Sequence, residues 1–201
     1  QVTVSLSNPS SVDTVLDITQ TAGSAGTDDY TETITSVTIA AGLTQTVVSI
    51  PIIDDNINEA NEIFTVNAEV TAGNTSNNNT SGTVTITDDD GVPTFEVGDV
   101  IVDEGNGTVT VPVTLSNPSS VETRIDITQT SGTAGEDDYE ETIVTVVIPA
   151  GQTAGQVVIP ITDDNIDEID ETFTVDGEVT SSNTANTTDS GSRWPWLSLF
   201  S

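Results

Sequence analysis

The chain has 201 residues, of which 33 are Asp or Glu and only two, Arg124 and Arg193, are basic, giving a formal charge of −31 with no Lys, His or Cys. Such a charge excludes nucleic acid and anionic membrane surfaces as partners, because phosphate contacts are made by Lys and Arg. The missing Cys rules out disulfides and thiolate metal sites, and the missing His and Lys close the Ser/His/Asp, Cys/His and Lys-based routes of covalent and acid/base catalysis.

The apolar residues, 34% of the chain, are mostly Val and Ile in alternation with Thr, Ser and Asp, a period-2 pattern that predicts strands. The first run, Val2-Thr3-Val4-Ser5-Leu6, is already under way at Gln1, so the chain reads as a piece of something longer. Further runs are predicted over 12–18, 34–39, 46–53, 63–70 and 83–87, then over 94–97, 100–102, 108–115, 121–127, 143–148, 156–162 and 172–179. Turn signals such as Ser7-Asn8-Pro9-Ser10 and Ala22-Gly23-Ser24-Ala25-Gly26 separate them, and no window carries an apolar period of 3.6. The expectation is an all-β chain with little or no helix, built as antiparallel sandwiches of about seven strands each.

The second half nearly copies the first. With an offset of 109 residues, positions 4–82 match 113–191 without a gap at 49 of 79 positions. Two modules are expected, 1–91 and 92–191, joined at Gly91-Val92-Pro93. They are incomplete at opposite ends: the first lacks the counterpart of residues 94–109, its N-terminal strand, and the second lacks the closing strand matching Thr83 to Gly91. Sheet edges left unpaired in this way invite pairing between chains. Residues 192–201, with Trp194-Pro195-Trp196, match nothing in the repeat and read as a tail foreign to the natural protein.

The acidic positions repeat along with the strands. Asp28-Asp29-Tyr30 recurs as Asp137-Asp138-Tyr139, and Asp54-Asp55-Asn56-Ile57-x-Glu59-x-x-Glu62 recurs as Asp163-Asp164-Asn165-Ile166-x-Glu168-x-x-Glu171. A glycosidase drawn from such carboxylates would need a cleft lined with aromatic groups, and 4% aromatic residues do not build one, so no enzyme is expected. Calcium fits better, since it takes six to eight oxygens from carboxylates, carbonyls and water. Two carboxylates 5 Å apart repel by about 3 kcal/mol at an effective dielectric of 20, so clusters of this size call for cations. The loop is not an EF-hand, because Glu168 stands where that motif demands Gly. Phe64, Phe173, Tyr30 and Tyr139, which flank the acidic segments, are expected to pack in the core.

Taken together, Asp103-Glu104-Gly105, Ala-Gly-x-Asp-Asp-Tyr, Ile-x-Asp-Asp-Asn-Ile-x-Glu-x-x-Glu-x-Phe and the closing Val-Thr-Ile-Thr-Asp-Asp-Asp resemble the Calx-beta domain over residues 1–191. The resemblance implies tandem immunoglobulin-like sandwiches with calcium held among loops at one end. It implies ligands at Asp29, Asp54, Asp55, the Ile57 carbonyl, Glu59, Glu62, Asp88, Asp89 and Asp90 in the first module. In the second it implies Glu104, Asp138, Asp163, Asp164, the Ile166 carbonyl, Glu168 and Glu171. With the first-strand Glu absent from one module and the triple Asp absent from the other, fewer or weaker sites are expected than in an intact module.

The function expected is that of a calcium-binding structural or adhesive repeat from a large secreted or cell-surface protein, bacterial by the resemblance. Calcium would stabilise each sandwich and rigidify the hinge after residues 88–90, and neighbouring modules of the parent chain would be its other partners. The alternatives are a regulatory calcium sensor of the exchanger type, and a carbohydrate- or ice-binding module using an exposed Thr-rich face.

Overall fold

A computed structural model describes every residue except Asn165, Asp167, residues 192–198 and Ser201, with backbone only for Leu199 and Phe200. The chain divides into two units, one made of Gln1–Asp55 and Ala60–Asp88, the other of Asn56–Glu59 and Asp89–Ser201.

In the first unit, β1 (Val2–Ser5) pairs antiparallel with β4 (Gln45–Val48), and a second sheet runs β3 (Thr35–Ile39), β2 (Thr14–Ala22), β5 (Glu62–Ala72), β6 (Asn79–Ile86). Alternation decides which side chains turn inward: along β5, Phe64, Val66 and Ala68 are buried, Thr65 and Asn67 between them are half-buried, and Ile63 and Glu69 on either side are exposed. With Leu16, Ile18, Tyr30, Ile39, Val48 and Ile50 they form one apolar core, which draws on both sheets.

The second unit is more complete. One sheet runs β12 (Ala154–Pro160), β9 (Thr108–Leu115), β7 (Phe95–Val97), and the other β11 (Val144–Ile148), β10 (Thr123–Ser131), β13 (Phe173–Val179), β14 (Thr188–Gly191). All these pairings are antiparallel. Inward residues of the two sheets share a core, Val109, Val111, Val113 and Ile159 from one and Ile125, Ile127, Ile148 and Val175 from the other, so the unit is a sandwich. The expected all-β architecture is what the structure shows, with one helical element among the described residues, a single 3-10 turn over Glu104–Asn106.

The differences from the predicted runs have local causes. β4 stops at Val48, short of the predicted 53, because its ladder partner β1 ends at Val2, which lies opposite Val48. β2 and β6 extend into Thr, Ser and Asn that lack apolar alternation, carried there by pairing with β5. Leu199–Phe200 forms β15, parallel to β8 (Val102–Asp103), whereas the remainder of the tail lies outside the described residues.

Candidate metal centre

The Ala-Gly-x-Asp-Asp-Tyr segment folds into the same turn in both halves. In the second unit the Gly135 N–H donates to Asp138 Oδ2 (2.6 Å), the Asp138 N–H donates back to the Gly135 carbonyl (3.2 Å), and the Thr162 N–H donates to the Asp138 carbonyl (2.8 Å). In the first, the matching bonds are Gly26 N to Asp29 Oδ2 (2.7 Å), Asp29 N to Gly26 O (3.4 Å) and Ile53 N to Asp29 O (2.9 Å). One carboxylate oxygen of each Asp is thereby oriented by the backbone.

The next residue anchors the turn. Tyr30 stacks on Phe64 and Tyr139 on Phe173, each pair with ring centroids 4.1 Å apart and nearly parallel planes. All four rings are buried, as expected for core packing. The two tyrosines differ at their hydroxyls: Tyr139 Oη meets Ser131 Oγ at 2.9 Å, whereas Tyr30 Oη has no partner, Ala22 standing where the second unit has Ser131. Burial, with smaller pushes from Glu32 and Asp29, raises the Tyr30 pKa. Ala22→Ser is expected to supply the missing partner and stabilise the first unit by about 1 kcal/mol in urea unfolding. A neutral or destabilising result would show that the two Tyr pockets differ in shape.

Glu104 comes from a different element. Asp103 caps the 3-10 turn by accepting from the Gly105 N–H (3.0 Å), and Gly107 closes it at φ +67°, its N–H donating to the Glu104 carbonyl (3.0 Å). The turn carries the Glu104 side chain inward, where the residue is 6% exposed. Its carboxyl pKa is raised, first by burial and then by Glu168, Asp164, Asp138 and Asp163. Glu168 is raised by burial and by Asp164, Asp138 and Asp137. Glu171 is raised by burial and by Asp138, with which it shares a side-chain hydrogen bond, and then by Glu168 and Glu104. Residues as far apart in sequence as Glu104 and Glu171 are thus concentrated into one locus of negative charge.

Among the described residues of the second unit, Glu104, Asp138 and Glu168 each place one oxygen within 4.8 Å of the other two. Oxygens bound at about 2.3–2.6 Å to one ion lie at most about 5 Å apart, so this group has the span of a hard-cation site. The donor set is oxygen only, which suits calcium better than softer metals.

The other expected ligands stand outside this group, and Asp29, Glu59 and Glu62 are each half-buried. Asp163 and Asp164 act on Glu104 by charge, and Asp164 Oδ1 also accepts from the Ile166 N–H (2.6 Å). Asp54, Asp55 and Asp89 are exposed. The Asp88 N–H donates to Asn61 Oδ1 (3.2 Å), and the Asp90 carbonyl accepts from Asn58 Nδ2 (3.2 Å). Within the second unit, Asn58 also bridges to Ser119, its N–H donating to the Pro118 carbonyl and its carbonyl accepting from the Ser120 N–H, both at 3.0 Å. Ile57, between the acidic pairs, is half-buried. Sequence reasoning did not single out the orienting Gly26 and Gly135 N–H groups, although their recurrence three residues before Asp29 and Asp138 is the signal that could have found them.

The profile of the Calx-beta domain family matches residues 1–90 and again residues 87–191. The chain matches none of the curated proteins. Among solved structures it is similar to CBD12 from CALX1.2, at 17% identity over 91% of this chain and 75% of that one with a TM-score of 0.42. It is also similar to the calcium binding domain CBD12 of CALX1.1, at 16% identity over 89% and 71% with a TM-score of 0.40. A tetra-tandem repeat in the extending region of a large adhesion protein aligns at 15% identity over 91% of this chain and 42% of its own length, with a TM-score of 0.42. Likenesses at this level carry no functional argument.

Proposed function

The chain belongs to the Calx-beta domain family, its two halves each being one such domain, and from that premise we propose that it is a calcium-binding structural repeat of a secreted or cell-surface protein. The observation that carries the reading is Glu104, a buried carboxylate with Asp138 and Glu168 oxygens in ligand range. Arg124, the one basic side chain among the described residues, is instead paired with Glu122 at 2.7 Å. A cluster of this kind is repulsive without a cation and attractive around one.

In this reading Glu104, Asp138 and Glu168 hold one ion in the second unit, with Glu171, Asp163 and Asp164 completing or surrounding the shell. By the repeat, Asp29 and Glu62 are the matching donors of the first unit, with Asp54, Asp55 and Asp88 as further ones. Bound calcium would supply the positive charge that cancels carboxylate repulsion. The chain's own residues do the rest: Gly135 and Gly26 N–H groups hold one Asp oxygen in place, the stacked Tyr–Phe pairs fix the turns, and the capped 3-10 turn delivers Glu104 from the other sheet. The same proposal extends to residues 88–90, where ligation would restrict the backbone between the two domains. An adhesive or extending role for the parent protein is part of the same proposal.

Calorimetric titration tests it. Calcium is expected to bind with dissociation constants of about 10⁻⁴–10⁻³ M, the range of extracellular modules, and magnesium much more weakly. Glu104→Gln removes one charge from the cluster, and it is expected to weaken calcium binding in the second unit by roughly 10- to 100-fold. The same substitution should raise that unit's stability in chelator, because the buried charge is gone. Absence of calcium heat in the parent chain, or a Glu104→Gln protein that titrates unchanged, would remove the proposed site. Affinity near 10⁻⁷–10⁻⁵ M would instead favour the sensor reading.

A further inference from the structure

The sequence holds one Asn-Gly pair, Asn106-Gly107, and the fold places it on the 3-10 turn that carries Glu104. Asn106 is exposed, whereas Glu104, two positions earlier, is buried. An asparagine followed by glycine is chemically labile, because glycine has no Cβ to shield its backbone nitrogen from the neighbouring side-chain amide. Every other asparagine of the chain precedes a bulkier residue, as in Asn74-Thr75, or a proline without an N–H, as in Asn117-Pro118.

The native turn restrains the reacting nitrogen. The Gly107 N–H donates to the Glu104 carbonyl (3.0 Å), and the Gly107 carbonyl accepts from the Ile161 N–H (3.0 Å), so the residue is held on both sides. Gly107 also sits at φ +67°, the left-handed backbone that closes the turn. A nitrogen whose proton is engaged in this way, in a peptide plane fixed by the turn, is not free to swing onto the Asn106 side chain. Release of the bond to Glu104 frees it.

We propose that Asn106 is a self-modification site whose reaction is controlled by the opening of this turn. In the open turn the Gly107 nitrogen bonds to Asn106 Cγ, the Cγ–Nδ2 bond breaks, and the Gly107 amide proton leaves with Nδ2 as ammonia, closing a succinimide ring. Water then opens the ring. Attack at Cγ gives aspartate, and attack at the main-chain carbonyl carbon gives isoaspartate, in which the chain runs through Cβ and Cγ. Water is the one co-reactant, and nothing is oxidised or reduced. Isoaspartate adds a methylene to the main chain of a three-residue turn closed by a single bond between residues 104 and 107, so that closure is lost. Either product also adds a negative charge two residues from Glu104. The consequence for calcium, that the second unit's site loses the element presenting Glu104, rests on the reading above; the modification itself does not.

Peptide mapping by mass spectrometry tests the proposal on the full chain in chelator, over a time course in native buffer and in denaturing urea. Conversion of amide to acid is expected at Asn106 ahead of every other asparagine, as aspartate and isoaspartate together. The native reaction should be slower than that in urea by the factor, within about an order of magnitude, by which the fold slows hydrogen exchange at the Gly107 N–H, since both draw on the same open state. The isoaspartate form, separated by chromatography, should lose exchange protection at Gly107, whereas Asn106→Asp, which adds the charge without lengthening the chain, should keep it. Calcium at 10 mM should slow the native reaction about 10- to 100-fold if opening releases an ion bound at about 10⁻⁴–10⁻³ M. A native rate indifferent to calcium would count against the calcium reading alone, the site itself having been established in chelator. Equal rates in native buffer and urea, conversion led by other asparagines, or an isoaspartate form with Gly107 still protected would each overturn the proposal. So would an Asn106 that stays an amide past the time at which the exchange-derived rate requires most of it to have converted.

Discussion

Millimolar calcium is expected to raise the unfolding temperature of this protein by about 6–20 °C over its value in chelator, with equimolar magnesium giving little change. With dissociation constants of about 10⁻⁴–10⁻³ M, 10 mM calcium is roughly 10 to 100 times the dissociation constant. Each occupied site then contributes about 1.4–2.7 kcal/mol by mass action. For a domain near 100 residues, 1 kcal/mol corresponds to roughly 4–8 °C. The two units have separate cores, so scanning calorimetry should resolve two transitions or one broadened one, both moving with calcium. A shift confined to one transition would assign calcium to one unit only. Identical curves in calcium and chelator would leave the acidic loops as solvated surface and sink the structural role.

Phe173→Ala is expected to be the most damaging single substitution in the second unit. The ring is 3% exposed and stacked on Tyr139, so truncation combines lost burial, a cavity and a lost ring pair, costing about 3–5 kcal/mol. Tyr139 directly follows Asp138, so the change should also loosen the turn that orients the Asp138 carboxylate. Two readouts check it: denaturant unfolding, in which only the second unit's transition should move, and calcium titration, in which that unit's affinity should fall while the first unit's holds. If stability falls as predicted but calcium affinity does not, the Tyr–Phe stack is part of the core and has no bearing on the loop.

Much of this architecture was legible because it is local. A strand with one buried face needs alternating side chains, so β5 and β13 could be read from Phe64-x-Val66 and Phe173-x-Val175 at every second position. The 109-residue repeat doubled each signal, and the aromatic positions after the acidic loops were rightly placed in the core. Elements that owe their existence to a neighbour were not legible in the same way. The Thr- and Asn-rich start of β6 is a strand because β5 supplies its hydrogen-bond partners, and its own side chains gave no period to read.

The candidate site divides along the same line. The sequence by itself determined that carboxylates recur at matched positions, that only oxygen donors are on offer, and that almost no basic side chain is present to neutralise them. Only the tertiary structure decided which carboxylates meet. Asp138 follows a turn after β10, Glu168 lies between β12 and β13, and Glu104 rides on a 3-10 turn before β9, and nothing in their spacing says that their oxygens come within 4.8 Å. Burial likewise selects Glu104 from a row of acidic residues that look equivalent on paper. Charge is a property of composition, but its cost depends on distance and solvent, and both are set by how the sheets bring distant loops together.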